Sequence, residues 1–95
     1  MNQEENTMAL TCSQAIKKAR TELHDMIGLE ISSTIGAVPE EDGWKVSLEA
    51  VEKRSIPDSM DILAIYEVKI NSDGEVAEFN RVKMRKRIDT DEMDI

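Results

Sequence analysis

Apolar residues near the start of the chain recur at helical spacing. They form one stripe, with charged and polar residues mostly on the other side: Ala15, Ile16, Ala19, Leu23, Met26 and Ile27. Thr11 and Gln14 have the spacing of a capping box, with Ser13 as a competing N-cap, and Gly28 stands where a left-handed residue would end a helix. The pattern therefore predicts one amphipathic helix between Thr11 and Gly28.

After the helix, the apolar pattern changes to the alternation that is typical of strands. It predicts four strands, at residues 32–38, 44–54, 61–70 and 75–88. Asp-Gly turns precede the second and fourth strands, and Pro57 lies in the connection before the third. Changes of apolar phase indicate a bulge or a second covered face at Val51 and a bulge near Asn80. The predicted fold is α+β, with one N-terminal helix packed on a four-stranded antiparallel β-meander.

The length of 95 residues leaves room for one core. We expect a disordered polar tail at residues 1–10, a single domain at 11–88 and an acidic tail at 89–95. The acidic N-terminus does not resemble a signal peptide, and no apolar run approaches the ~20 residues that span a bilayer. Cys12 is the single cysteine, which excludes an internal disulfide and favours a reducing compartment.

The net charge argues against one class of function, and the low aromatic content indicates which residues anchor the core. The formal net charge of −8 argues against a protein that binds nucleic acid with its whole surface. Aromatic residues make up only 3% of the chain, so we expect Trp44, Tyr66 and Phe79 to be its three large core anchors.

The residues that commonly carry chemistry are isolated in this sequence. His24 is the single histidine, and it has no evident nucleophile, base or second ligand beside it. The thiol of Cys12 also lacks a partner. We therefore predict no catalytic site, no metal site, no cofactor and no small-molecule substrate.

A basic run in the fourth strand contrasts with the acidic chain. It places five cations in the seven residues 81–87, and strand alternation predicts that Arg81, Lys83, Arg85 and Arg87 share one face. The run is consistent with a charged face that protects a sheet edge, with docking of an acidic protein surface, or with nucleic-acid binding, which the net charge and the lack of interleaved aromatics disfavour. Leu63 and Ile65 suggest apolar docking positions on the face away from the helix, unless a loop or tail covers them.

The order of motifs from about Ala15 to about Arg87 resembles the gas vesicle protein O family. The resemblance rests on turn, core and charged residues taken in sequence: Asp42, Gly43, Trp44, Val46, Glu49, Val51, Glu52, Ile56, Pro57, Asp61, Leu63, Ala64, Tyr66, Glu67, Val68, Asp73, Gly74, Phe79, Arg81, Val82 and Arg85. One departure is Met84, where the family pattern has an aromatic residue near the arginines.

The resemblance implies a non-enzymatic accessory protein of gas vesicle formation. Its partners would be other gas vesicle proteins, contacted in the cytoplasm during assembly of the vesicle shell. The charged fraction of 34% does not suit the apolar shell protein itself. An alternative is a small regulatory or inhibitory module, because the predicted elements also resemble domains of the peptidase-propeptide type.

Overall fold

The computed structural model describes residues 10–88, and its first element is helix α1, Cys12–Ile27. Thr11 and Gln14 form the predicted capping box. The Gln14 N–H donates to Thr11 Oγ1 at 3.1 Å, and the Thr11 N–H donates to Gln14 Oε1 at 2.9 Å. Gly28 ends the helix with φ 72°, in the left-handed region that glycine adopts without strain. Both predicted ends of the helix are thus confirmed.

Four antiparallel strands follow the helix in the order β1-β2-β3-β4. Their bounds are β1 Glu30–Glu40, β2 Gly43–Lys53, β3 Ile62–Asn71 and β4 Val76–Lys86. A short 3-10 helix, Asp58–Met60, lies in the connection before β3. The predicted α+β fold, one helix on a four-stranded meander, is confirmed. Strand β1 is longer than the predicted strand at residues 32–38, because pairing with β2 extends to Glu30 at one end and to Glu40 at the other.

The core lies between α1 and one face of the sheet. The helix contributes Ala15, Ala19 and Leu23. Because the side chains of Ala15 and Ala19 are small, the helix backbone lies close to the strands. The sheet contributes alternate residues of its two central strands: Val46, Leu48, Ala50, Ala64, Tyr66, Val68 and Ile70. We call this the helix face of the sheet. The alternation predicted for β2 and β3 therefore gives the correct core side.

Bulges interrupt the pairing of every strand pair. The β2–β3 register shifts between Val51 and Lys53, and the β3–β4 register shifts between Arg81 and Lys83. The bulge predicted near Asn80 thus lies two residues later, at Val82. A shift of one residue changes the face on which all subsequent side chains lie, so this position decides where the basic run points.

The predicted tails lie outside the described residues, apart from Leu10. Leu10 is half-buried and packs against the core cluster, and its carbonyl oxygen accepts a hydrogen bond from Trp44 Nε1 at 3.1 Å. Leu10, which the sequence analysis assigned to the tail, thus contacts the core of the domain.

Candidate protein-docking surface

One face of the sheet carries no covering helix among residues 10–88. We call it the open face; it comprises residues that alternate with the core positions of β2, β3 and β4, and its central part is Lys45, Ser47, Ile65, Glu67, Lys69, Asn80 and Lys83. Ile65 is half-buried at its centre, in register with Glu49 and Lys83. Its composition is mixed, with charged side chains around an apolar centre.

At one end of the open face, apolar side chains of the sheet are buried although no helix covers them. Val51 and Leu63 are cross-strand neighbours and both are buried, although neither belongs to the cluster beneath the helix. Arg85 stands opposite Leu63 on β4. Leu63 is only 1% exposed, so its side chain is not available to a partner. The expectation that Leu63 is a docking residue is therefore corrected, whereas Ile65 remains partly accessible.

Glu49 and Arg85 form a largely buried ion pair on this face. Arg85 Nη2 donates to Glu49 Oε2 at 2.9 Å, and the side chains are only 15% and 9% exposed. Arg85 Nη1 also donates to the carbonyl oxygens of Lys86 and Arg87, at 3.1 Å each. The Ser33 hydroxyl lies 3.4 Å from Glu49 Oε1. The pair therefore links β2 to β4 across β3, and the charge of Arg85 is neutralised internally.

Asp61 forms a second buried centre at the start of β3. Its Oδ1 accepts the Ser55 N–H at 2.7 Å, and its Oδ2 accepts Arg87 Nη2 at 3.1 Å, with Arg54 Nη1 at 3.7 Å. The hydrogen bond from Ser55 holds the pKa of the Asp61 carboxyl below its ordinary value; burial opposes this effect, and Arg87 and Arg54 reinforce it. Arg54 also pairs with Glu30 of β1. Asp61 thus fastens the connection before β3 to the end of β4.

The bulge at Val82 separates Arg81 from the other cations of the basic run. Arg81 pairs in register with Tyr66 on the helix face, whereas Lys83 and Arg85 pair with Ile65 and Leu63 on the open face. The expectation that Arg81, Lys83, Arg85 and Arg87 share one face is therefore wrong for Arg81. The physical reason is the bulge. Val82 is an extra residue in β4, and it reverses the alternation of side chains between the two faces after Arg81.

On the helix face, Arg81 belongs to a polar group around Tyr66. The Tyr66 hydroxyl donates to Glu52 Oε1 at 3.1 Å, and Arg81 Nη1 lies 3.5 Å from Glu52 Oε2. Burial raises the pKa of the Tyr66 hydroxyl above its ordinary value, and the negative charge of Glu52 adds to this effect. This arrangement satisfies the one polar atom of the Tyr66 side chain at the edge of the core.

The three predicted aromatic anchors occupy different depths. Tyr66 is buried in the core cluster, while Trp44 and Phe79 are partly buried and pack against it. Trp44 stands in register with Pro39 and Ile70, and Phe79 with Val68.

Comparison with known proteins shows the family to which the chain belongs. The sequence model of a family described as "Gas vesicle synthesis protein GvpO" matches residues 1–91. The chain belongs to this gas vesicle protein O family. The predicted resemblance is therefore confirmed.

Curated relatives agree with this assignment. The chain is 32% identical over 74 residues to "Gas vesicle protein O" of Streptomyces sp. (strain CB03234), which covers 78% of the chain and 58% of the relative. It is 29% identical over 84 residues to "Gas vesicle protein O1" of Halobacterium salinarum, which covers 88% of the chain and 71% of the relative. The match thus spans little more than half the length of the Streptomyces protein. No solved structure matches the chain significantly.

Family membership supports a role in gas vesicle formation. The gas vesicle protein O family is a family of accessory proteins and is not a known enzyme family. No observation favours the alternative of a module of the peptidase-propeptide type.

The residues considered for chemistry remain separate in space. Cys12 is exposed, and the exposed His24 ring has Nδ1 2.8 Å from the carbonyl oxygen of Leu29, to which it donates. Within the described part of the chain, no group of three or more histidine, cysteine and acidic side chains is placed to hold a metal ion. Helix α1 is too short and too polar to cross a membrane.

Glu49 and Asp61 are the structurally important residues that pattern reasoning did not single out individually. Glu49 lies within an apolar strand and Asp61 lies at the start of one, both at positions that alternation assigns to the open face, so the sequence pattern predicts ordinary solvated acids. Their burial depends on arginines that are 36 and 26 positions away in sequence. The signal that was available is the resemblance, because Glu49, Asp61 and Arg85 all belong to the set of residues on which it rests.

Proposed function

We propose that this protein is a non-enzymatic accessory factor that acts in the cytoplasm, through contacts with other gas vesicle proteins, during assembly of the vesicle shell. Membership of the gas vesicle protein O family supports the role in vesicle formation. The observation that carries the contact mechanism is the open face: a helix covers one side of the sheet, and among residues 10–88 no element covers the centre of the other.

The charges on the open face indicate what kind of partner would bind there. Lys45 and Lys69 are direct cross-strand neighbours, an arrangement in which like charges repel. Glu78 stands on the far side of Lys69, while the neighbour of Lys45 on β1 is Val38. Neither lysine has an ion pair within the described residues. An acidic group of a partner placed between them would relieve the repulsion.

The partly accessible side chain of Ile65 lies two rows further along the same face. A partner that covers this centre would remove apolar area from water and gain affinity, while the lysines would act mainly on the rate of encounter and on orientation. In this proposal, Arg85 and Arg87 support the surface through Glu49 and Asp61, and Lys83 remains the member of the predicted basic stripe that borders the docking centre.

The test compares the wild type with a variant that carries two charge reversals, Lys45→Glu and Lys69→Glu. The measurement is how much of the co-encoded gas vesicle proteins each one captures. The matched control is Lys17→Glu with Lys18→Glu, which makes the same change in net charge on the exposed side of α1. We expect the open-face variant to lose capture by at least about tenfold and to lower vesicle yield, with the control near wild type.

Wild-type capture should also weaken above ~0.15 M salt, where the Debye length falls below about 8 Å. Full capture and full vesicle yield with the open-face variant would overturn the docking proposal. Equal losses in both variants would contradict it as well, because they would attribute the effect to net charge alone.

A further inference from the structure

Arg20 of α1 differs from the other arginines of the chain in its partners. Four arginines pair with carboxylates of the sheet or of the connection before β3: Arg54, Arg81, Arg85 and Arg87. Arg20 is half-buried, and within residues 10–88 it forms no ion pair. The chain has 20 acidic residues against 12 lysines and arginines, so the lack of an acid beside this guanidinium is not due to a shortage of acids.

Two neutral oxygen atoms of β1 hold the Arg20 guanidinium in place. Nη1 donates to Thr34 Oγ1 at 3.0 Å, and Nη2 donates to the carbonyl oxygen of Ile31 at 3.2 Å. Because a guanidinium has five N–H donors, three remain after these two bonds. The two oxygens orient the positive charge of Arg20 but do not neutralise it. The side chain is therefore ordered before a ligand arrives, which reduces the entropic cost of binding.

The guanidinium borders a pocket of about 370 Å³ between α1 and β1. Five residues form its walls: Arg20, Thr21, His24, Glu30 and Ile31. The His24 ring is fixed by the hydrogen bond from Nδ1 to the Leu29 carbonyl oxygen, at 2.8 Å. Glu30 is the one acid of these five residues, and its pairing with Arg54 offsets its charge. The pocket therefore combines the positive charge of Arg20 with a hydroxyl group and an apolar wall.

We propose that this pocket binds a carboxylate group. The planar edge of a guanidinium matches the two oxygens of a carboxylate, the Thr21 hydroxyl can donate a further hydrogen bond, and Ile31 can contact the apolar atoms that carry the group. A phosphate dianion fits less well, because Glu30 borders the pocket and the chain has a formal net charge of −8.

The carboxylate belongs either to a free small acid or to an acidic side chain of a polypeptide, and the test below separates these two sources. The pocket lies on the helix side of the sheet, since Ile31 and Thr34 are in register with the core residues Ala50 and Leu48. The proposal thus goes beyond docking at the open face, which is on the other side.

NMR titration of the isotope-labelled full chain tests the proposal, with the Nε–H signal of Arg20 as the direct readout. The polypeptide probe is a capped tripeptide with a central glutamate, and its matched neutral probe has glutamine instead. The free-acid probe is butyrate. We expect the glutamate peptide to shift the Arg20 signal with a dissociation constant below about 10 mM, and the glutamine peptide to leave it unchanged. Butyrate that binds at least as tightly would identify a free acid as a sufficient ligand, whereas butyrate that binds at least about tenfold more weakly would indicate a polypeptide.

Substitution of Arg20 should weaken the binding of the carboxylate. Arg20→Gln removes the charge and Arg20→Lys removes the planar fork, so we expect each to lower the affinity at least about tenfold. The matched control is Lys17→Gln, which makes the same change in net charge as Arg20→Gln at an exposed position of α1 outside the pocket. It should bind like the wild type. Far-UV circular dichroism establishes that each variant is folded.

An Arg20 signal that neither carboxylate shifts at up to about 50 mM would overturn the proposal, and this measurement on the wild type does not depend on the folding of any variant. Affinity that a folded Arg20→Gln variant retains would overturn it too, as would inorganic phosphate that binds more tightly than both carboxylates. The variant Lys45→Glu with Lys69→Glu should keep carboxylate binding, so failure of the docking proposal is distinguishable from failure of this one.

Discussion

The Arg85 guanidinium reaches across strand β3 to the carboxylate of Glu49, with Nη2 and Oε2 2.9 Å apart. Between them on the sheet lie Leu63, opposite Arg85, and Ile65, opposite Glu49. The long arginine side chain thus covers an apolar position that no helix covers, and its charge is matched where it ends. This contact explains how a sheet with a helix on one side only can bury Leu63 on the other.

Removal of Arg85 should be strongly destabilising. The variant Arg85→Ala leaves the largely buried Glu49 carboxylate without its cation, for which we expect a loss of about 3 kcal/mol in the free energy of unfolding. Arg85→Met with Glu49→Gln should recover part of that loss, because it removes both charges and keeps apolar cover over Leu63. Denaturant unfolding of the single and double variants measures the coupling.

The control for this cycle is Lys86→Ala, an exposed neighbour on the same strand, with an expected change within about 0.5 kcal/mol. If Arg85→Ala is as stable as Lys86→Ala, the pair does not contribute to stability. The same reasoning applies to a charge reversal of Arg85 together with Arg87. Exposed charges would leave the melting temperature nearly unchanged, but these two are ion-paired with buried carboxylates, so the reversal should destabilise the fold.

The helix and the strands could be predicted from the sequence because each depends on residues that are close together in the chain. The stripe from Ala15 to Ile27, the cap at Thr11 and the alternation in β2 and β3 each depend on neighbouring residues, and each predicted the correct element. The side on which Arg81 lies was not readable, because it depends on whether the bulge falls at Asn80 or at Val82. If the bulge moves by two residues along β4, the side chains between the two possible bulge positions lie on the opposite face of the sheet.

The buried acids show a second limit of sequence reasoning. Nothing near Asp61 in sequence distinguishes it from an exposed turn aspartate, since its partners are the Ser55 backbone and Arg87. The burial of Asp61 appears only when the start of β3 and the end of β4 are brought together. Long-range ion pairs of this kind follow from the fold and do not precede it.

Asp61 should make stability depend on pH in the acidic range. Because its folded-state pKa is lowered, its stabilising effect is present above the unfolded-state pKa of about 3.9 and is lost as pH falls through the folded-state value. We expect thermal melts of the wild type to lose stability below about pH 4. The variant Asp61→Asn should be less stable at pH 7 and should show a flatter acid profile.

Asp25→Asn, at an exposed position on α1, is the control and should follow the wild-type profile. An acid profile of Asp61→Asn that coincides with the wild type would show that other carboxylates govern the acid loss.

Gly43 should be intolerant of any side chain. Its φ is 130°, in a region that other residues rarely adopt, and a Cβ there would overlap the carbonyl oxygen of Ile70 and lie 2.8 Å from the Asn71 Cα. Because both contacts are with backbone of the paired strand β3, the sheet itself would have to shift. We expect Gly43→Ala to lower the unfolding free energy by more than about 2 kcal/mol.

Gly36→Ala in β1 is the matched control for Gly43→Ala. A Cβ at Gly36 meets nothing within 4 Å, so alanine there should be neutral or stabilising by about 0.5–1 kcal/mol. Chemical denaturation of the two variants decides the question. Equal stability of both would mean that the close approach of β2 and β3 at Gly43 is not rigid.

Trp44 should contribute to stability through packing and through one hydrogen bond, which two variants can separate. Its ring packs against the core while Nε1 donates to the Leu10 carbonyl oxygen at 3.1 Å. Trp44→Phe keeps most of the apolar area but removes the donor, with an expected loss of about 1 kcal/mol. Trp44→Ala removes both, and about 3 kcal/mol is expected for so large a partly buried ring.

In a chain of this length, a loss of about 3 kcal/mol corresponds to a fall in melting temperature of more than about 10 °C. Ile56→Ala is the control, because the Ile56 side chain is fully exposed and its truncation should leave the melt unchanged. The hydrogen bond also predicts that Trp44→Phe loosens the chain around Leu10, since that carbonyl then lacks its donor. Faster amide exchange at residues 10–12 in Trp44→Phe, with β3 unaffected, would support this coupling. A melt of Trp44→Ala within a few degrees of the wild type would refute the anchoring role of the indole.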